Sequence, residues 1–289
     1  MSAQQLLIRA IANILFFLKR KEFKSAKLKF LVFTGTVGKT TFRDTVTHAL
    51  RSLDIPVQSN QLGYSNELGI LLTVLGYSEF FLKNPLAWFS LLKRELPKES
   101  FICIELGADF YRDIKWFLNK FVPFAIFISG IVNNSWSRDV KEVFEERKYL
   151  LEAVPQSGFV FYNLDDPATA ELVQKSNISA QTISLSLNAS KNAEATLDEW
   201  SKNVYARPIT EIFEHKERVV FAVGGIRVEL SLHRPIFEPQ VYAILATFAF
   251  IQRLLPDRLA ELKQAFENYD FSKDRLRVFK AKNGALIIE

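Results

Sequence analysis

The stretch Phe30-Leu-Val-Phe-Thr34 running into Gly35-Thr-Val-Gly-Lys-Thr-Thr41 reads as a buried strand, a glycine-rich turn and a helix start. Gly35 and Gly38 permit backbone conformations and close approaches that a Cβ blocks, so N–H groups of the turn, those of Thr36 and Val37 included, can face a phosphate. Lys39 brings a cation, the Thr40 hydroxyl can reach a magnesium ion, and Thr41 completes the loop. Phe42 to Leu53 has helical spacing, which points the positive end of a helix dipole at the same anion. Phe33 stands where the common eight-residue P-loop has its first glycine, so this is a shorter variant. A strand-to-helix turn without a ligand is the plain alternative.

Composition sets outer bounds. A chain of 289 residues, 48% hydrophobic and 24% charged, can bury a sizeable core as one large domain or two modest ones. The single cysteine, Cys103, lies within the apolar run Phe101 to Leu106; it excludes an intrachain disulfide and fits a reducing, cytoplasmic compartment and a core position. A net charge of +5 favours acidic partners without choosing among nucleotide, nucleic acid and anionic lipid.

Upstream of the loop, Leu6 to Leu18 is apolar apart from Arg9 and Asn13 and leads into Lys19-Arg-Lys21, Lys24, Lys27 and Lys29. The apolar part is too short to span a bilayer, and no small-residue cleavage site follows it. Two readings remain for residues 1–26: a helix packed on the domain, or an amphipathic helix lying on an anionic membrane.

Downstream, short apolar runs alternate with helical stretches to about Ser176. Strands are predicted at Lys29–Thr34, Phe101–Leu106, Phe124–Ser129 and Gly158–Asn163, and helices near Phe42–Leu53, Asn66–Leu75, Asp113–Lys120 and Val140–Ala153. The alternation predicts an α/β fold with a mostly parallel sheet flanked by helices, whose ligands bind at the carboxyl ends of the strands. Thereafter Gln181–Leu187, Ile209–Phe213, Arg218–Val223 and Ile226–Leu232 predict a smaller antiparallel β subdomain over about residues 177–235, with Gly224-Gly225 as a hairpin turn. Helices at Gln240–Leu254 and Asp257–Asn268 follow, then strands at Arg275–Lys280 and Ala285–Glu289. The apolar end of the chain has the look of a cut.

Separate motifs line up with the loop: Tyr64-Ser-Asn-Glu-Leu-Gly69, Glu105-Leu-Gly-Ala108, Glu146-Arg-Lys148 and Asn163-Leu-Asp-Asp166. Their order over about 140 residues resembles the central ATPase domain of the Mur ligases, most of all the MurF type, which adds D-Ala-D-Ala to a UDP-muramoyl tripeptide. Residues 27–272 correspond to that domain, and Lys273-Asp-Arg-Leu276 to Glu289 resembles the approach to the family's third domain.

The resemblance implies that ATP phosphorylates a substrate carboxylate, of which a UDP-muramoyl peptide is the family example, and that an amine then attacks the acyl phosphate. ATP would sit on Gly35 to Thr41, with Gln240 and Arg275 as further nucleotide contacts. Mg²⁺ would be held by Thr40 and Glu105 and, at a second position, by a carbamylated Lys148. Lys39, Glu105, Lys148 and Asn133 would form the catalytic set, and Asn66 and Glu67 would face the substrate. Taken singly, Glu105 is also a surface carboxylate, Lys148 an exposed helix charge, Asn66-Glu67 a helix start and Asp165-Asp166 a capping turn.

The departures are specific. Gly130-Ile-Val-Asn133 stands where the family has Gly-Pro-x-His, so Asn133 replaces the metal-associated histidine. Pro239-Gln-Val-Tyr-Ala243 stands where the family begins a helix with His-Asn-x-x-Asn, so Ala243 replaces an adenine-contacting asparagine and Gln240 can substitute only in part. About 26 residues precede the first strand, so the uridine-binding domain is not expected here, nor is the closing C-terminal domain.

Two readings of function therefore stand. One is an ATP-dependent amide ligase of peptidoglycan precursor synthesis. The other is a degenerate Mur-like module that binds nucleotide weakly or serves as a scaffold at the membrane surface. An unrelated P-loop kinase or GTPase lacks a reason for the Glu105 and Asn163 motifs. No nucleic-acid partner is expected, because lysines and arginines are spread along the chain and the aromatics fall in apolar runs.

Overall fold

The computed structural model describes residues 3–59, 66–77, 93, 95–107, 113–131, 140–188, 194–197, 217–232, 236–269, 278–280 and 286–288. The strands, in chain order, are β1 Lys29–Thr34, β2 Val57–Ser59, β3 Phe101–Glu105, β4 Pro123–Ile128, β5 Phe159–Asn163, β6 Gln181–Ser186, β7 Ala195–Leu197, β8 Glu217–Val223 and β9 Ile226–Leu232. They form one sheet in the order β2-β3-β1-β4-β5-β6-β7-β8-β9. Pairing is parallel from β2 to β7 and antiparallel from β7 to β9. A further antiparallel pair joins β10 Val278–Lys280 to β11 Leu286–Ile288.

The mostly parallel sheet matches the sequence expectation, as does the antiparallel part, but the junction lies elsewhere. Gln181–Ser186, expected in the antiparallel part, pairs parallel to β5, and the β8–β9 hairpin continues the main sheet through β7. Gly224 and Gly225 make the hairpin turn with φ of 54° and 80°, the two positive values that a type I′ turn requires. The strand predicted at Ile209–Phe213 falls outside the described residues.

The central strands are buried on both faces, which explains their unbroken apolar runs. Their side chains alternate between two cores. Leu31 and Phe33 face the first with α2 Lys39–Ser52, α7 Glu238–Leu254 and α8 Leu259–Glu267. Phe30 and Val32 face the second with α1 Ala3–Ser25, α3 Glu67–Val74, α4 Asp113–Leu118, α5 Val140–Glu152 and α6 Pro167–Lys175.

On the first face Phe33, Phe127 and Phe161 of adjacent strands stack in a row at 4.9 and 4.7 Å, and Phe250 of α7 meets Phe127 and Phe161 edge-on. That row fixes β1, β4 and β5 against the helix layer. Because β3 and β4 lie on opposite sides of β1, the strand order reverses there, and a crevice opens outside the carboxyl ends of these three strands.

Candidate nucleotide site

The glycine-rich loop turns out of β1 into that crevice. Gly35 has φ 134°, and a Cβ there would stand 2.8 Å from the Gly130 carbonyl and collide with the Ser129 hydroxyl. Gly38 adopts the left-handed conformation, φ 86°, as the residue preceding α2. Both positions therefore need glycine. The loop is braced from the β4 side: the Thr36 N–H donates to Gly130 O at 2.7 Å, and the Ser129 hydroxyl donates to Val37 O. Thr36 thus spends its N–H on the fold rather than on a ligand. The start of α2 has no side-chain cap and no acidic residue in its first turn, so its N–H groups and dipole remain available to an anion. The Lys39 ammonium donates to the loop carbonyls of Gly35 and Thr36 at 3.0 and 3.3 Å. Phosphate oxygens are stronger acceptors for it than those carbonyls.

Glu105 ends β3, opposite Phe33 in register. Its side chain is 6% exposed and meets Thr40 Oγ1 at 3.3 Å and Arg43 Nη1 at 2.8 Å. It is not a surface carboxylate. The Arg43 contact is close, yet Glu105 Oε1 has no hydrogen bond of acceptable angle, so Arg43 balances its charge without saturating the oxygen. The fully buried guanidinium of Arg43 also grips Asp44 through Nε and Nη2 at 2.8 and 2.7 Å. A buried carboxylate oxygen without an aligned donor, beside a threonine hydroxyl at a phosphate loop, fits a hard divalent ion such as Mg²⁺, which completes its shell with phosphate oxygens and water. Among the described residues no cluster of three or more His, Cys, Asp or Glu side chains forms a metal cage.

The opposite wall comes from β5 and α7. Asp165 accepts from Ser186 Oγ at 2.7 Å, the Leu187 N–H at 2.6 Å and the Tyr242 hydroxyl at 2.7 Å. Burial raises the Asp165 pKa, but these donors together with Asn188 outweigh it and hold the carboxyl below its ordinary value. Burial and the same carboxylate push the Tyr242 phenol upward. Asp166 caps α6 through the Ala168 N–H and reaches across to the Ile131 N–H at 2.6 Å, which ties the turn after β4 to β5. The start of α7 faces the loop, with Pro239 3.7 Å from where a Gly38 Cβ would stand. Arg43, Ser129 and Tyr242 escape a reading of the sequence, because each is recognisable only by what it touches.

A family model for the Mur ligase middle domain matches residues 33–235, more than half of the chain. The chain belongs to the Mur ligase family. Its fold is similar to that of MurF from Acinetobacter baumannii, with a TM-score of 0.70 at 19% identity over 97% of this chain and 54% of that one. MurF ligase from Thermotoga maritima, solved in complex with ADP, gives 0.68 at 16% identity over 96% and 56%. A pseudomurein peptide ligase type C from Methanothermus fervidus gives 0.57 at 16% identity over 88% and 52%. At these identities the likeness is one of fold, and the chain spans about half the length of these structures. No curated protein matches it.

The remaining Mur-like positions are distributed unevenly around the loop. Asn66 caps α3, accepting from the Gly69 N–H at 2.8 Å, and Glu67 is buried and paired with Arg9 of α1 at 3.2 Å. Gln240 is buried too, and its amide oxygen accepts from the Phe237 N–H at 2.7 Å, which closes the first turn of α7. Ala243 is wholly inside the core. Lys148 stands half-exposed on α5. Asn133 and Arg275 lie outside the described residues.

Proposed function

We propose that this chain binds the β- and γ-phosphates of ATP on Gly35 to Thr41 and forms the nucleotide half of an amide ligase for peptidoglycan precursors. The observation that carries the reading is the uncapped start of α2 beside Lys39, Thr40 and the buried Glu105. A substrate carboxylate oxygen attacks the γ-phosphorus as the bond to ADP breaks; an amine nitrogen then attacks the acyl carbon, phosphate departs with the bonding pair, and the amine gives up a proton. Lys39 offsets charge on the transferred group, and Arg43 holds the Glu105 carboxylate in place. Mg²⁺ held between Thr40 and Glu105, and at a second position by Lys148 once carbamylated, would neutralise phosphate charge. Asn133 and Arg275 complete the proposed catalytic and nucleotide sets, Asn66 and Glu67 would face the carboxylate substrate once released from the α3 cap and from Arg9, and cytoplasm is where UDP-muramoyl peptides and ATP meet.

A second reading has its own support. Gln240 is occupied by Phe237 and Ala243 is buried, so the start of α7 offers little to an adenine ring. A module that holds a triphosphate without reading its base, and without ligase activity, fits that wall.

Calorimetric titration with a non-hydrolysable ATP analogue and Mg²⁺, beside its GTP counterpart, separates the two. Lys39→Ala should weaken ATP-analogue binding by about tenfold or more, the loss of a charge-assisted hydrogen bond of roughly 1.5–3 kcal/mol. Equal affinity for both analogues supports the second reading. Binding indifferent to Lys39 overturns both. Supplying a MurF C-terminal domain should then give ADP release that requires an acceptor amine, and amine-independent release would contradict the ligase.

A further inference from the structure

Among the described residues, α1 packs on the domain by one side. Its inner side carries Ala12 and Leu15 into the second core, stacks Phe16 on Phe23, and sets both rings edge-on to Phe121. Asn13 accepts from Trp116 Nε1 at 2.9 Å, and Arg9 pairs with Glu67. The helix is therefore ordered and its rotation about its own axis is set. That rotation turns Leu6, Leu7, Ile14, Phe17 and Leu18 outward, each between 56% and 61% exposed. Spaced by three, four and seven residues, they share one face.

Charge selects the occupant of this face. After Leu18 the exposed charged side chains of the helix and the turn beyond it are Arg20, Lys21, Lys24 and Lys27, the last paired with Glu99, and the only acidic residue of α1, Glu22, is paired with Lys19. The Arg20 guanidinium lies over the Phe17 ring, 4.5 Å from its centroid, so cation and apolar surface are presented together. Two copies packed in parallel would bring like charges together. No described helix is long and apolar enough to cross a membrane, so α1 can lie on a bilayer but not span it.

We propose that the outer face of α1 is a membrane-docking surface for anionic lipid, with its five large apolar side chains entering the headgroup boundary and its basic end on the lipid phosphates. Because α1 is bolted to the domain before it meets lipid, docking orders no new helix, and it holds the sheet at a set orientation to the bilayer.

The test is co-sedimentation of the full chain with vesicles of phosphatidylglycerol and phosphatidylcholine, and with phosphatidylcholine alone. Binding is expected only to the anionic vesicles. It should fall about tenfold or more in Arg20→Glu/Lys21→Glu/Lys24→Glu and in Phe17→Ser/Leu18→Ser. These positions are exposed, so circular dichroism should show both variants folded. Lys39→Ala should bind vesicles as the parent does, which separates this surface from the nucleotide site. No binding to anionic vesicles, equal binding to neutral ones, or binding that survives either variant overturns the proposal. So does a dimer in sedimentation that Phe17→Ser/Leu18→Ser dissolves, because the face would then belong to a second copy.

Discussion

α7 and α1 are both long, aromatic-bearing helices, one on each face of the sheet, and they meet opposite fates. In α7 the twelve consecutive residues Gln240 to Ile251 are buried, closed in by the sheet, α2 and α8. α1 buries one side on the second core and leaves five large apolar side chains outside. Side-chain chemistry does not separate Phe250 from Phe17. What separates them is what covers them: α7 is closed in by the sheet and two helices, whereas the described neighbours of α1 pack on one side of it. An apolar residue stabilises a fold in proportion to the surface that its surroundings remove from water.

The widest contrast should come from truncating one phenylalanine in each helix. Phe250→Ala empties a site ringed by Phe101, Phe127 and Phe161 and should cost about 3–5 kcal/mol in urea unfolding. Phe17→Ala should stay within about 0.5 kcal/mol. Equal losses would mean that α1 is covered in solution.

A smaller effect should come from the polar tie of α7. Tyr242→Phe removes a donor to the Asp165 carboxylate and should cost about 1.5–3 kcal/mol at neutral pH. The Asp165 pKa is lower in the folded protein than its ordinary 3.8, so its contribution is complete above that value and is lost as pH falls through the lower, folded one. The gap between parent and variant in acid unfolding should therefore close below about pH 4. A gap constant with pH would mean that the hydroxyl matters for packing alone.

A smaller loss than that of Tyr242→Phe belongs to the corresponding tie of α1. Asn13→Ala removes the acceptor of Trp116 Nε1 and should cost about 0.5–1.5 kcal/mol. If vesicle binding falls while stability hardly changes, the tie sets the rotation of α1 rather than the strength of its attachment.

The same division runs through the fold. β1, β3, β4 and β5 are legible because strands buried on both faces leave continuous apolar runs, and the bounds predicted for β1 agree with the structure at both ends. The three-residue β2 is too short to show a pattern. β6 has the composition of any strand, so its parallel partner cannot be read from it. At the site, Gly35, Gly38, Lys39, Thr40 and Glu105 declare themselves through residue type and spacing. Arg43 looks like one more charge on a helix until burial brings it against Glu105.

The sequence by itself determined the α/β class, the glycine-rich turn between β1 and α2 and the order of motifs that marks the Mur ligase family. Those follow from local geometry: a glycine where φ is positive, an apolar run where both faces are covered, a lysine and threonine at a helix start. Only the tertiary structure decided that Arg43 balances Glu105, that Gln240 closes its own helix, and that α1 keeps an apolar face outside. Each of these depends on which distant elements arrive beside a side chain, and in a close-packed interior that is set by all the layers together.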